Sequence, residues 1–452
     1  MLRRNFLKTS AVLGGIAMTN SVLTLPKVHA GGDDVIKIAL VGCGGRGRGA
    51  LLDRLAVGDR VSVVALADVF DQKANLALEA LEEAKEKYVD HVSFDQTKTY
   101  SGFDAYKKAI DSCDQVILAT PPGFRPLHYR YAVEQGKHVF MEKPCCVDAP
   151  GFRSLMESNK VADEKGLTVV VGFQRRYDPA YLEFVQKCFD GFLGEIMYSA
   201  LYWQDRSIWE QPRQEGDTEM MYQLRNWYHF PWLSADQVAE QMVHNIDVGN
   251  WIHGKGDPLA HPVLAYGSGG RLTRRFPRFR NSGYRYDHYC IEFRYADGSR
   301  MFGQCRHFEN TAACHGEHFI GTKCNSAYNI IYKNGTNEEL WRFTGEEANP
   351  YKEEHKVQAH AIRNGLKHND GWSGATSSFT GYFARAAAMS GDIIAWDDLV
   401  AHGKAEFPPE GINSWEQLPP IMPDTVPPAL PGPGELIYEN SVPIPGVWSW
   451  KE

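Results

Sequence analysis

Past residue 34 the chain alternates between short apolar runs and longer mixed segments. Residues 35–41, 61–67, 116–119 and His138–Met141 are continuous apolar runs of strand length, with no polar residue on every second position. Between them, Asp71–Tyr88 is dense in Ala, Leu, Glu and Lys and reads as a helix by propensity, and 127–135 reads as another. Strands that are apolar on both faces and separated by helices predict a doubly wound parallel sheet covered on both sides. The pattern then changes. Residues 289–295, the turn Ala296-Asp297-Gly298 and 301–308 predict a β-hairpin, as do 329–332, Lys333-Asn334-Gly335 and 340–343.

The ends of the chain carry other signals. Arg3-Arg4-Asn5-Phe6-Leu7-Lys8 is a charged start, residues 11–18 are apolar, and Val28-His29-Ala30 offers the small residues of a cleavage site. The apolar run is too short to cross a bilayer. The segment 1–30 resembles a twin-arginine export signal, a route taken by proteins already folded around a cofactor, and predicts a periplasmic protein. From 407 to 445 there are eleven prolines, which exclude regular helix or central strand. Trp415, Tyr438, Trp448 and Trp450 suggest that this tail straps onto a surface or a neighbouring subunit. The expected organisation is a signal at 1–30, a nucleotide-binding domain at 31–150, a substrate domain at 151–400 and a Pro-rich tail at 401–452.

Charge removes two classes of partner. Without residues 1–30 the chain holds 44 basic and 56 acidic side chains, a net charge of −12. A uniformly acidic protein has no footprint for nucleic acid or an anionic membrane. Nine cysteines form no tight framework. Cys305, His307, Cys314, His315, His318 and Cys324 crowd one stretch, but no two cysteines have zinc-site spacing, so structural use is expected and no metal. A disulfide within 290–324 would be compatible with an exported protein.

The chemistry begins at the first strand. Gly42-Cys43-Gly44-Gly45-Arg46-Gly47 is a G-x-G-x-x-G turn directly after that strand and before a helix. Gly42 permits the turn, Gly44 lets the backbone approach a pyrophosphate, and Gly47 allows close helix packing. Gly45 and Arg46 complete the turn, and the helix N-terminus holds phosphate through its free N–H groups. Asp68 ends the second strand, 21 positions beyond Gly47, where a carboxylate bonds the adenosine ribose. A carboxylate there repels a 2′-phosphate, so NAD is favoured over NADP; Asp68 could also simply cap the strand's exit. Thr120-Pro121 and Glu142-Lys143-Pro144 follow two further strands, at the carboxyl ends where open α/β sheets bind ligands.

This ordered set of motifs resembles the glucose–fructose oxidoreductase, inositol dehydrogenase and rhizopine catabolism (Gfo/Idh/MocA) family over most of the chain. The resemblance implies an N-terminal Rossmann domain and a C-terminal α/β domain on a large, open, mostly antiparallel sheet, with which the hairpins agree. It further implies a tightly bound NAD contacted by Thr120, Pro121, Glu142 and Lys143. A homo-oligomer is also expected.

Ser234 and Asp236 are good residues for a helix start, and the segment 234–253 is predicted as one helix. Glu240, His244, Asp247 and Trp251 then share one face, while Val238, Met242, Val243 and Ile246 lie mostly opposite. A solvated face would be rich in Lys and Glu rather than hold a histidine between carboxylates and a tryptophan. By resemblance His244 is the catalytic histidine and Asp247 the acidic residue three positions on. Glu240 replaces the family's usual aspartate in Asp-x-Gly-x-His, and the usual Gly-Gly-Gly upstream is missing.

Arg225-Asn226-Trp227-Tyr228-His229-Phe230 mixes aromatic faces with donors, which suits a sugar and equally suits a packed loop. Gly172-Phe173-Gln174-Arg175-Arg176-Tyr177 resembles the family's segment leading from a strand to the substrate cleft. The expected substrate contacts are Lys143, Arg176, Tyr177, Arg225, Trp227, Tyr228 and His244. The expected reaction is hydride transfer between nicotinamide and a ring carbon of a sugar or glycoside. His244 is the base, Lys143 steadies the oxygen, and Glu240 and Asp247 orient the two cations. With no soluble NAD outside the cytoplasm, a second sugar or an internal redox cycle would regenerate the cofactor. That leaves a redox-neutral glycosidase as an alternative, with Tyr177 or Tyr228 as the C2 base, and a non-catalytic sugar-binding protein as a third.

Overall fold

A computed structural model describes residues 34–271, 283–328 and 330–422. The signal at 1–30, Asn329, and the tail residues Tyr438, Trp448 and Trp450 lie outside them.

The first half folds into a parallel sheet whose strands are β1 (Ile36–Val41), β2 (Val61–Asp68), β3 (Val92–Ser93), β4 (Lys98–Ser101), β5 (Gln115–Leu118), β6 (His138–Met141) and β7 (Val169–Val171). Their order is β3-β2-β1-β5-β6-β7, with β4 also pairing β2, and every pairing is parallel. Apart from the exposed Lys37 of β1, the strands β1, β5 and β6 are buried on both faces because helices cover each side. The helix Asp71–Tyr88 has the bounds its composition predicts. Because β7 belongs to this sheet, the first unit runs past residue 150, where the sequence reading ended it.

The second sheet has nine strands. They are β8 (Ile196–Asp205), β9 (Leu264–Gly270), β10 (His288–Arg294), β11 (Arg300–His307), β12 (Cys314–Gly321), β13 (Cys324–Ala327), β14 (Ile330–Lys333), β15 (Glu339–Arg342) and β16 (Ile394–Ala395). The order is β15-β14-β13-β12-β8-β11-β10-β9-β16. Only β8 and β11 run parallel; the other pairings, including both expected hairpins, are antiparallel.

One helix joins the two sheets. Gly371–Ser390 is buried along almost its whole length. The Ser378 hydroxyl accepts from the Cys145 N–H at 2.8 Å, on the first unit. On the other side, Phe379 and Phe383 share one apolar cluster with Phe293 of β10 and Met301 of β11, and that cluster also takes in Ala39 and Val116.

The segment 234–253 departs from its expected single helix. Ser234 closes a short turn, Pro231–Ser234; one turn follows at Gln237–Glu240, and the long helix is Val243–His253. The breaks arise because Ala235 and Asp236 take φ of 62° and 72°, a region that favours glycine. Asp236 is held there by its carboxylate, which accepts from the N–H groups of Gln237 and Tyr286 and from the Tyr289 hydroxyl. Nor is Val243–His253 a helix with a polar solvent stripe. All its residues but Trp251 are buried, so its polar side chains need partners inside the protein.

All nine cysteines are free thiols, so no disulfide joins 290–324. Cys305 points into the core while Cys314 is exposed. Among the described residues no group of three His, Cys, Asp or Glu is arranged to hold a metal ion, and no helix is long and apolar enough to cross a membrane.

Candidate active site

The carboxyl ends of β1, β2 and β5 open on a cavity of about 520 Å³. One wall is the turn from Gly42 to Gly47, with Asp68, Thr120 and Pro121 beside it. Gly42 has φ of 96°, and a Cβ on it would stand 2.5 Å from the Thr120 nitrogen. A Cβ on Gly47 would meet the Gly42 oxygen at 1.9 Å, so the helix packs on its own turn only as glycine. Gly44 and Gly45 face open space. The Asp68 carboxylate accepts from the N–H groups of Cys43 at 2.8 Å and Phe70 at 3.0 Å. It therefore does cap the strand's exit, and the same bonds fix it on the cleft wall, where each oxygen keeps a lone pair for a ribose hydroxyl. An open glycine cradle at a helix N-terminus, with a carboxylate at the next strand end, fits a dinucleotide.

Arg46 takes a different place from the one expected. Its Nε donates to Glu142 at 2.5 Å, its other nitrogens lie 3.5 Å from Asp53 and 3.4 Å from Glu354, and its guanidinium lies over the Tyr351 ring. The side chain is thus committed to carboxylates, although the residue borders the cavity. Glu142 is likewise committed to Arg46. Burial and the neighbouring Glu142 push the Glu354 carboxyl well above its ordinary range, so this cluster is not a bare triple negative charge.

Neighbouring strand ends bring Lys143 alongside the cleft. Leu118 of β5 pairs with Met141 of β6, and the Glu142 N–H donates to the Leu118 oxygen at 2.9 Å, so Thr120 and Lys143 leave adjacent strands together. The Lys143 Nζ sits 2.6 Å from the Glu240 carboxylate and also donates to the Glu240 backbone oxygen. Burial pushes the Glu240 carboxyl up against the downward pull of this ammonium. His244 lies one turn on, with its ring stacked on Trp203 at 5.6 Å and edge-on to Phe173 at 6.1 Å. Its Nδ1 is buried without a hydrogen bond to any described residue. Burial, then the cations Lys143, Arg175 and Arg46, holds the imidazole well below its ordinary 6.5. His244 is therefore neutral near pH 7 and ready to take a proton.

Asp247 does not face Lys143 or His244. It binds Arg176 through two bonds of 2.8 Å and accepts from the Ser377 hydroxyl at 2.8 Å, because the turn of the helix aims it at residues 174–177 and Gly371–Ser390. Arg176 in turn covers the Trp251 ring at 4.9 Å. Tyr177 is also taken: its hydroxyl donates to Asp370 and lies 3.2 Å from His368, and burial and Asp370 push it well above 10. The Tyr228 hydroxyl is buried without a full hydrogen bond to any described residue, with Gln241 nearby; burial and Glu240 push it up as well. Arg225 and Trp227 stand elsewhere, on the wall of the dinucleotide cavity, with Arg225 bonded to Asp217 and to Gln214.

Two neighbours of His244 escaped the sequence reading. Arg175 is held by Glu317 of β12 and lies over Trp203, while Glu317 also accepts from Asn245 at 2.6 Å and Tyr181 at 2.9 Å. The doublet Arg175-Arg176 was visible, but nothing local distinguishes which arginine faces His244. Trp203 sits on a strand whose partners, Cys305 of β11 and His315 of β12, come from over a hundred residues away, so no nearby pattern marks it.

These features define an NAD-binding oxidoreductase fold in which a lysine at a strand end meets a carboxylate and a histidine from the helical segments Gln237–Glu240 and Val243–His253. Residues 36–173 match the Gfo/Idh/MocA model, described as the oxidoreductase family, NAD-binding Rossmann fold, and NAD is the cofactor of this domain. The chain is 24% identical over 222 residues to an inositol 2-dehydrogenase/D-chiro-inositol 3-dehydrogenase of Lactiplantibacillus plantarum, covering 48% of this chain and 52% of that protein. The chain thus spans about half the length of the curated relatives it matches. Among solved structures it resembles the aldose-aldose oxidoreductase of Caulobacter crescentus, complexed with glycerol, with a TM-score of 0.61 and 16% identity over 80% of this chain and all of that one. It also resembles the WlbA dehydrogenase of Bordetella pertussis, solved with NADH and UDP-GlcNAcA, with a TM-score of 0.57 and 19% identity over 80% of this chain and 98% of that one.

Proposed function

We propose that the protein is an exported, NAD-dependent oxidoreductase acting on a ring hydroxyl of a sugar, a glycoside or a related polyol such as an inositol. The observation that carries this reading is the Lys143–Glu240 pair, at 2.6 Å, beside a neutral His244 and next to the nucleotide cleft. NAD supplies the hydride acceptor. Lys143 donates from Nζ to the reacting oxygen and stabilises the negative charge that develops there. His244 takes the hydroxyl proton at Nε2. Glu240 is a positioning residue that keeps the ammonium aimed. Trp203 and Phe173 pack against the imidazole, and burial, with the cations Lys143 and Arg175, keeps it unprotonated before substrate arrives. Several inositol dehydrogenases among the relatives favour a polyhydroxylated ring as substrate.

The redox-neutral glycosidase has less support. It needs a base for the C2 proton, and neither tyrosine considered for that role stands ready as an anion. The two activities part cleanly in one experiment. Purified protein is given NAD and a panel of inositols, aldoses and aryl glycosides in D₂O. Keto product with the glycosidic bond intact supports the oxidoreductase. Released aglycone with solvent deuterium at C2 supports the glycosidase, and no reaction of any panel member sinks both. Export is checked by fractionating producing cells, where activity confined to the cytoplasm would overturn it.

A further inference from the structure

Among the described residues the buried arginines are Arg54, Arg125, Arg285 and Arg385. All but one have their donors met at close range. Arg54 pairs with Asp59, and Arg385 with Glu406. Arg125 donates to the backbone oxygens of Leu118 and Thr120. Arg285 is the exception. Its Nε reaches the His229 Nδ1 at 3.4 Å and its Nη1 the Tyr286 oxygen at 3.3 Å, both long bonds, and its Nη2 bonds no described residue. No carboxylate among the described residues pairs with it. Asp236 acts on it from beyond pairing distance, and the Asp236 oxygens already accept from Gln237, Tyr286 and Tyr289. A guanidinium only donates and stays charged, so burying one without an anion is expensive.

Its surroundings supply no anion. The guanidinium lies 5.9 Å from the Tyr228 ring, which is 6.0 Å from that of His307. Burial, then Arg285, pushes both His229 and His307 down to about 3, so both imidazoles are neutral. What the surroundings do supply is unused hydrogen-bonding capacity. Trp203 Nε1, the Tyr228 hydroxyl and His307 Nδ1 are buried without a full hydrogen bond to any described residue. These groups lead back to the reacting centre. Trp203 pairs with Cys305 and Asp205 with His307, so Trp203 and His307 share one face of the second sheet, and Trp203 stacks on His244. Two residues along a strand advance about 7 Å, the order of one sugar ring.

We infer that Arg285 is a substrate-binding residue that takes a carboxylate, and that the substrate is a sugar ring bearing one, with its acid group on Arg285 while a ring hydroxyl meets Lys143 and His244. The inference rests on the oxidoreductase reading above and narrows its substrate. One guanidinium among neutral imidazoles balances a single negative charge in a planar group, which a carboxylate offers and a phosphate dianion does not. Trp203, Tyr228 and His307 then serve the hydroxyls between the two ends.

The test compares matched pairs: methyl glucosides, galactosides and mannosides against the methyl glycosides of the corresponding uronic acids. The full chain with NAD is scored by kcat/KM for keto product. The wild type should prefer the acid in at least one pair by about 10- to 100-fold, the range of a hydrogen bond to a charged group. Arg285→Gln should bring that ratio close to one, chiefly by raising KM for the acid, with Arg285→Lys in between. Equal or better use of the neutral member in every pair would overturn the carboxylate site, and that result needs no variant to fold. So would an acid preference kept by folded Arg285→Gln, or a preference of the wild type for the corresponding sugar phosphates. Should no pair turn over, calorimetric titration of the acids separates the two claims. Acid binding that Arg285→Gln or Arg285→Lys weakens keeps the site and sinks the hydride-transfer reading, whereas absence of acid binding sinks the site as well.

Discussion

Glu240→Gln is the substitution that tests the proposed site most directly. In the wild type the Lys143 Nζ and the Glu240 carboxylate are 2.6 Å apart, with side-chain exposures of 12% and 9%. At an effective dielectric constant of about 20 their gross attraction is about 6 kcal/mol, much of it offset by the cost of burying both charges. Deleting the partner with Ala would strand an ammonium and cost about 3–5 kcal/mol of stability. Glutamine is milder. It keeps the shape and a neutral acceptor, and the residue 240 backbone oxygen still receives Nζ. What goes is the charged half of one hydrogen bond, about 1.5–2 kcal/mol. If that energy aims Lys143 at the developing oxyanion, kcat falls roughly 10- to 30-fold. The assay is NADH appearance under saturating substrate, with KM and melting temperature measured on the same preparations. Glu240→Asp, which keeps the charge, should recover part of the loss. An unchanged kcat in a folded Glu240→Gln enzyme, or an effect on KM alone, would refute the positioning role.

Four further outcomes follow from the same geometry. His244→Ala should keep NAD bound yet cut turnover by roughly 10²- to 10⁴-fold, measured as keto product per bound NAD; full activity would remove the base. Because His244 is held well below 6.5, its proton-accepting form persists beneath that pH, so kcat/KM for oxidation should stay level from neutrality through pH 6.5 and fall only further down. Lys143→Met, by removing one of the cations responsible, should move the acid limb of the remaining activity upward, and a wild-type limb centred above pH 7 would contradict the burial argument. Asp247→Asn breaks a two-bond buried pair with Arg176, and should lower stability by about 3–5 kcal/mol in denaturant unfolding while the residual folded enzyme keeps its pH profile.

The nucleotide domain was legible because its signals are local. A glycine turn, apolar strands and Asp68 each act within a few residues of where they are read, and Asp71–Tyr88 shows the same for a helix. His244, Lys143 and Glu240 could be named from motif order, although their mutual contact is a matter of packing. What stayed hidden depends on distant partners. The break at Ala235-Asp236 is stabilised by Tyr286 and Tyr289, about fifty residues away, and side-chain spacing alone argued for an unbroken helix. Arg225 and Trp227 have a composition that suits a sugar, but composition carries no direction, and the chain turns them to the cofactor side. Asp247 lies three residues after His244, yet its partner is chosen by where residues 174–177 come to rest.

The helix Gly371–Ser390 has a consequence for how the molecule moves and melts. Two-domain enzymes often admit ligands by swinging one lobe against the other about a hinge. Here the seam between the sheets is filled by a buried helix, with Phe379 and Phe383 serving both sides at once. Prising the lobes apart would expose that interior apolar surface to water, at about 25 cal/mol for each Å² uncovered. Large-scale opening is opposed by that exposure, which couples the two halves through one helix. Access to the cleft then falls to surface segments, while the strand end that carries Lys143 and the helix that carries His244 keep their relative positions.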